Sequence, residues 1–137
     1  MNEKFSLDFD KLCSIALGGS KVMPVAVQDV DSKEVLMVAY ANFQAVKETL
    51  ARKVAVFWST SRQELWIKGE SSGDTLHLVD IRTNCYGNSL LYIVRLAGEG
   101  MCHTKDQKMT TRYGCYYRHL EDIDQVSMVQ GHPYSGH

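Results

Sequence analysis

The fold of this chain is decided by residues 54–96, which read VAVFWSTSRQELWIKGESSGDTLHLVDIRTNCYGNSLLYIVRL. Four runs in this stretch are rich in β-branched and aromatic residues, and polar or glycine-containing turns separate them. Each run predicts a strand, over residues 54–59, 64–68, 75–82 and 89–96. Four strands in such close succession indicate a domain in which β-structure dominates.

Two helices and a hairpin are predicted before this stretch. Apolar residues recur at helical spacing over residues 7–17 and 43–51, and Asn42 is a suitable N-cap for the second helix. Strands over residues 23–30 and 35–40 flank a polar turn, which predicts a β-hairpin.

The C-terminal part is predicted to be mostly irregular, with one short strand over residues 115–118. Residues 119–137 are predicted to form a tail whose polar end frays. The chain is therefore predicted to be a single domain over residues 1–137, with its core at about 23–118. Its expected class is α+β and β-dominated, a small mixed sheet or roll with two helices.

The composition is that of an ordinary globular domain. The chain has 137 residues, of which 45% are hydrophobic and 23% charged, and its formal net charge is -1. This charge argues against nucleic-acid or membrane-surface binding. The sequence shows neither a signal peptide nor an apolar run long enough to span a bilayer, so a cytoplasmic protein is expected. In that reducing compartment the four cysteines are expected to be thiols.

Three of the cysteines are candidates for a metal site. Cys85, Cys102 and Cys115 lie beside polar or small residues rather than in apolar runs. Three thiolates leave one position of a tetrahedral zinc ion open, as in catalytic sites that activate water near neutral pH. The alternative is three ordinary thiols, because none belongs to a C-x-x-C pair. Cys13, on the apolar side of the first helix, is predicted to be a core residue.

A histidine and a hydroxyl-rich segment are further candidates. His103 directly follows Cys102 and has a side chain that titrates near neutrality, which favours a general acid or base, with a surface histidine as the alternative. Residues 58–73 combine glycine and serine with Arg62 and Lys68, a composition typical of phosphate-binding loops. The two tryptophans of this segment are expected to lie in the core.

Several segments, in order along the chain, resemble the phosphoribosyl-AMP cyclohydrolase family of histidine biosynthesis. The resemblance spans residues 23–118. It rests on VLMVAYAN at 35–42, WSTSR at 58–62, LWIKGESSG at 65–73, VDIR at 79–82, CHT at 102–104 and CYYR at 115–118. So many matching segments in one order favour family membership over chance.

The resemblance implies a reaction and the residues that carry it. The family opens the adenine ring of 1-(5-phosphoribosyl)-AMP at the N1–C6 bond. It forms an intertwined homodimer that shares its zinc ligands between subunits, and these would be Cys85, Cys102 and Cys115 here. Proton transfer would fall to His103, with Glu70 as a second candidate. The implied substrate-binding residues are Trp58, Arg62, Lys68, Ser71, Ser72 and Arg118.

The sequence departs from the family pattern at three places. The family has a magnesium-type site in a D-C-D-x-D sequence, where residues 84–88 here read NCYGN. Asn84 and Asn88 offer only neutral amide oxygens, so we expect Mg²⁺ to bind weakly. Thr60 stands where the family has an arginine. Residues 105–114 form a longer, basic loop between the second and third cysteines, which we expect to help neutralise substrate phosphate.

Two alternative functions remain open at this point. The first is a related zinc hydrolase that acts on another purine or pterin-like nucleotide, which the missing aspartates favour. The second is a non-catalytic, zinc-stabilised dimer that binds nucleotides. It would need a fourth protein ligand to close the zinc site, and His103 is the residue available for that position.

Overall fold

The computed structural model describes residues 2–131. The helices are α1 (Lys11–Gly18) and α2 (Phe43–Arg52). The strands are β1 (Asn2–Lys4), β2 (Met23–Asp29), β3 (Val35–Ala41), β4 (Val56–Ser59), β5 (Glu64–Ile67), β6 (Leu76–Thr83), β7 (Leu90–Leu96), β8 (Arg118–Asp122) and β9 (Gln125–Met128). The predicted β-dominated α+β class is confirmed. Neither helix of the described region has the length and apolar character needed to cross a membrane.

The central sheet is mixed and has the strand order β3-β2-β7-β6. β2 and β3 form the predicted hairpin, and β6 and β7 form a second antiparallel pair. β2 pairs in parallel with β7, from Val25 opposite Leu90 to Asp29 opposite Val94. A parallel pairing requires a long crossover, and the chain from β3 to β6, which includes α2, provides it.

Phe57, Trp66 and Tyr92 form the centre of the core. Phe57 on β4 lies opposite Trp66 on β5, and their ring centroids are 5.0 Å apart. The fully buried Tyr92 ring on β7 stacks 5.6 Å from Phe57, which joins the β4–β5 hairpin to the central sheet. Thr49 of α2 accepts a hydrogen bond of 3.0 Å from the Val56 backbone N–H, which joins the helix to the same hairpin.

The two helices differ in how well the sequence predicts them. α2 has the predicted N-cap, since the Asn42 side chain accepts a hydrogen bond of 2.9 Å from the Ala45 N–H. α1 begins at Lys11, later than predicted, and its buried residue is Ile15. Cys13 is exposed, so its prediction as a core residue is wrong. Helical spacing identifies an apolar face but not whether another element covers it.

The predicted irregular tail is wrong for much of its length. β8 and β9 form an antiparallel hairpin, and β1 adds a third strand in the order β1-β9-β8. Residues 115–118, predicted as a strand, instead lead into β8, which starts at Arg118. The prediction failed because β9 pairs with the opposite end of the chain, and no local pattern encodes that contact. Fraying was predicted for residues 130–137, of which 132–137 lie outside the described residues.

Candidate active site

Cys102 and Cys115 are brought together at the edge of the core. Cys102 is 4% exposed, and its Sγ lies 3.0 Å from the Thr104 hydroxyl. Cys115 is anchored by a hydrogen bond of 2.7 Å from its N–H to the Leu36 carbonyl on β3. Burial raises the pKa of Cys115 to about 12, and the charge and hydrogen bond of the adjacent Cys102 add to this rise. Neighbouring thiols, one buried and one partly buried, need a nearby cation in order to become thiolates.

Lys68 supplies positive charge to this thiol pair. It follows β5, is only 8% exposed, and acts on Cys115 in the direction that lowers the pKa of the thiol. Its ammonium group lies 6.0 Å from the centroid of the Trp66 ring. The structure thus brings the predicted substrate-binding Lys68 to Cys115, beside the aromatic core.

Trp58 and Arg62 occupy other parts of the β4–β5 hairpin. Side chains alternate along a strand, so the Trp58 side chain lies on one face of the hairpin and those of Trp66 and Lys68 lie on the other. There it lines a surface cavity of about 230 Å³ beside the start of α2. The exposed Arg62 lies in the turn after β4, with its Nε 3.5 Å from Glu64. One subunit therefore does not bring Trp58 and Arg62 together with the thiol pair.

The exposed turn after β5 contains Glu70, Ser71 and Ser72. Gly69 opens the turn with a left-handed φ of 76°, and a Cβ there would lie 2.1 Å from the Asp74 carbonyl carbon. Only glycine fits this close approach. The Ser72 hydroxyl accepts a hydrogen bond of 3.2 Å from the Asp74 N–H, so it stabilises the turn in this structure.

Cys85 lies apart from the other two cysteines of its subunit. It is exposed in the turn between β6 and β7, whereas Cys115 is bonded to β3 at the other edge of the sheet. Two to three strand spacings separate them, about 10–14 Å across the sheet. Among the side chains that the structure describes in one subunit, no three from histidine, cysteine or acidic residues converge as a metal site. Cys102 and Cys115 fit zinc as soft thiol donors, but one subunit does not bring them a third cysteine.

Asn84 and Asn88 bond to each other across the turn of Cys85. The Asn84 side-chain amide donates to Oδ1 of Asn88 at 2.6 Å. Oδ1 of Asn84 accepts from the backbone N–H groups of Asn88 and Ser89, at 2.9 and 3.2 Å. Both amide oxygens therefore stabilise the turn. A hard cation would displace these bonds and would gain no carboxylate from either residue.

The basic loop over residues 105–114 contains a compact turn. Lys105 and Thr111 form a β-bridge, and Oδ1 of Asp106 accepts a hydrogen bond of 3.0 Å from the Thr110 N–H. Hydrogen bonds from backbone N–H groups, that of Thr110 first, lower the pKa of Asp106. The loop over residues 105–114 is therefore held by its own hydrogen bonds.

His103 is exposed between two residues that the end of this loop holds in place. Arg112 donates its N–H to the Thr104 carbonyl and accepts from the Cys102 N–H, both at 3.1 Å. Arg118, at the start of β8, lies with its Cζ 5.1 Å from the centroid of the Tyr117 ring. Both predicted residues, His103 and Arg118, thus lie in the segments that hold the thiol pair.

The match to a known family covers the residues of this site except Arg118. The family model for phosphoribosyl-AMP cyclohydrolase matches residues 37–117, more than half of the chain. A phosphoribosyl-AMP cyclohydrolase of Archaeoglobus fulgidus is 48% identical over 100 residues, which cover 73% of this chain and 86% of that protein. The chain belongs to the phosphoribosyl-AMP cyclohydrolase family.

Two further relatives of the cyclohydrolase family extend this comparison. A phosphoribosyl-AMP cyclohydrolase of Haloquadratum walsbyi is 39% identical over 120 residues, which cover 88% of this chain and 86% of that protein. A histidine biosynthesis bifunctional protein of Deinococcus radiodurans is 43% identical over 105 residues, which cover 77% of this chain and 45% of that protein. The predicted family, and with it the prediction of an enzyme, is confirmed.

The cyclohydrolase match includes all three candidate zinc ligands and the loop between the second and third of them. Arg118 and the sheet formed by β1, β9 and β8 lie outside it. In the sequence, Arg112 is only one of the basic residues of the loop over residues 105–114. Its contact with the backbone on both sides of His103 becomes visible only in the structure. The roles of the individual site residues stay predictions.

Proposed function

We propose that this chain hydrolyses the N1–C6 bond of the adenine ring of 1-(5-phosphoribosyl)-AMP, in the cytoplasm, as a step of histidine biosynthesis. Its relatives carry the name of this enzyme, and one of them is named for histidine biosynthesis. The observation that carries the proposal is the pair of adjacent thiols, Cys102 and Cys115, beside the buried Lys68. Such soft donors at the edge of a core suit a hydrolytic zinc site.

The proposed zinc is held by Cys102 and Cys115 of one subunit and by Cys85 of the partner subunit. The exposure of Cys85 and its distance from the thiol pair support a ligand that acts between subunits. When bound, zinc supplies Lewis-acid character and lowers the pKa of water towards about 7. The positive charge would also offset the cost of ionising the buried Cys102 and the partly buried Cys115.

The side chains around the thiol pair would position the substrate and move protons. Ribosylation at N1 makes C6 of the adenine ring electrophilic, so water adds at C6 and the N1–C6 bond breaks. His103 would take a proton from the attacking water and return one to N1, a role typically worth about 10²–10⁴-fold. Glu70 is the second candidate for this role. Lys68, Ser71 and Ser72 would bind phosphate next to the thiols.

The active site is proposed to form between the two subunits of a homodimer. Trp58 and Arg62, which lie away from the thiol pair of their own subunit, would then bind substrate at the subunit boundary. Large apolar side chains are exposed in the single subunit, among them Leu17 at 84% and Tyr86 at 84%, and such groups are typical of contact surfaces. The melting temperature should then rise with protein concentration. A single monomeric species at micromolar concentration would exclude the shared site.

The test of the proposed reaction is an absorbance assay of ring opening. The substrate is 1-(5-phosphoribosyl)-AMP, and AMP and GTP are the controls. We expect turnover of the first compound only. Turnover of GTP instead would favour a related hydrolase with another nucleotide substrate. No turnover of any of them by a zinc-loaded protein would leave the non-catalytic dimer.

Magnesium should contribute little to this reaction. Asn84 and Asn88 are neutral and already bonded to each other, so they offer a weak site for a hard cation. Turnover is measured while Mg²⁺ is titrated, on the unmodified chain and on an Asn84→Asp/Asn88→Asp variant. A steep, saturable requirement in the unmodified chain would contradict the charge argument.

A further inference from the structure

Arg112 carries an unmatched hydrogen-bond donor at the edge of the candidate site. Its backbone is bonded to Thr104 and Cys102, the residues on either side of His103. Its guanidinium carbon lies 4.0 Å from the centroid of the Tyr117 ring, so the group stacks on that ring. Its Nε is buried, and no hydrogen-bond partner for it exists among the described residues. A buried donor left unpaired is costly, and it indicates a group that belongs there.

Two other cations lie near the partners of Arg112. The Arg118 guanidinium lies 5.1 Å from the centroid of the same Tyr117 ring, and Lys68 acts on the adjacent thiol pair. Among the side chains that the structure describes, no carboxylate lies within ion-pair distance of Arg112. The charge of Arg112 helps to lower the pKa of Asp106, but this carboxylate accepts its hydrogen bonds from backbone N–H groups of its own turn. The Nε–H of Arg112 thus has no acceptor among the described residues, and the acceptor that suits a guanidinium donor is an anion.

We propose that Arg112 binds a phosphate group of the nucleotide substrate through its Nε–H and an adjacent Nη–H. The identity of the nucleotide rests on the proposed function. A guanidinium group offers two parallel donors that match phosphate oxygens, and stacking on Tyr117 fixes the plane of that fork. Arg112 belongs to the basic loop over residues 105–114, so this loop supplies the phosphate donor.

The test compares AMP with adenosine, because the two differ only by the phosphate group. Both are titrated calorimetrically into the full chain and into an Arg112→Gln variant. We expect the variant to bind AMP about tenfold more weakly or worse, with adenosine affinity unchanged. Arg112→Lys keeps the charge but loses the Nε–H, so it should recover only part of the AMP affinity. Arg52→Gln is the matched control, since Arg52 is an exposed helix residue paired with Glu48.

Steady-state kinetics separate a binding role from a structural one. In Arg112→Gln we expect KM for the nucleotide to rise while kcat stays within about twofold, because ground-state binding is lost. The inference is overturned if the unmodified chain binds AMP no more tightly than adenosine, or if Arg112→Gln changes neither AMP affinity nor KM. If the ring of 1-(5-phosphoribosyl)-AMP is not opened but AMP is still preferred through Arg112, the proposed function fails and this inference stands.

Discussion

Gly100 lies where two backbone segments of the candidate site touch, so Gly100→Ala should disturb the site directly. A Cβ at this position would lie 2.4 Å from the Arg112 carbonyl oxygen and 2.5 Å from that of Thr111. Ordinary van der Waals contact begins at 3.4 Å, so the two segments must separate by about 1 Å. Met101 and Cys102 each donate an N–H to the same Arg112 carbonyl at 3.1 Å. A shift of that size takes both bonds out of hydrogen-bonding range.

The expected loss follows from these two contacts. The loss of two backbone hydrogen bonds, at about 1 kcal/mol each, lowers the free energy of unfolding by about 2 kcal/mol. For a domain of this size that change corresponds to a fall of roughly 5–10 °C in Tm. Cys102 and His103 move with the displaced backbone, and a misplacement of about 1 Å can reduce turnover about 100-fold.

Thermal unfolding and the ring-opening assay measure both effects. Gly98→Ala is the matched control, because its added Cβ would meet only the end of the Asp74 side chain, at 3.0 Å. This control should stay within about 0.5 kcal/mol of the unmodified chain and keep its turnover. A Gly100→Ala protein with unchanged Tm and unchanged kcat/KM would refute the reasoning, since the two segments would then separate without cost.

Three further predictions concern the core, the basic loop and the metal. Thr49→Val should lower the free energy of unfolding by about 1–3 kcal/mol in denaturant titrations, because the buried Val56 N–H loses its acceptor. Thr49→Ser keeps the hydroxyl and should retain most of the stability. Equal stability of Thr49→Val and the unmodified chain would contradict this prediction. The pKa of Asp106 is lowered in the fold, so its contribution to loop stability is present above the ordinary value of about 3.9 and is lost as pH falls through the folded value. The NMR signal of the adjacent loop amides should follow that titration, and Asp106→Asn should abolish it; an unchanged titration would sink the idea. Elemental analysis should find about one zinc per subunit. The zinc should be lost in Cys102→Ser and retained in Cys13→Ser, because Cys13 is an exposed thiol outside the proposed site. Zinc retained in both variants would exclude the proposed ligands.

Most elements of this fold could be predicted from the sequence because their signals are local. The alternating and β-branched runs give β4 to β7 to within one or two residues, and Asn42 marks the start of α2. The family could also be recognised, because its segments recur in order over most of the chain. The sequence alone therefore determines the fold class, the family and the residue types available for chemistry.

Contacts between distant segments were decided by the tertiary structure. β1 and β9 pair across nearly the whole chain, so residues that look like an irregular tail form a sheet. Cys102 and Cys115 become neighbours while Cys85 is held at the far turn of another hairpin, although all three look alike in sequence. The buried Nε of Arg112, which has no hydrogen-bond partner among the described residues, becomes visible only in the folded chain, where the guanidinium stacks on Tyr117. Periodicity and turn residues encode the local backbone, whereas burial, charge and thiol proximity depend on which segments pack together.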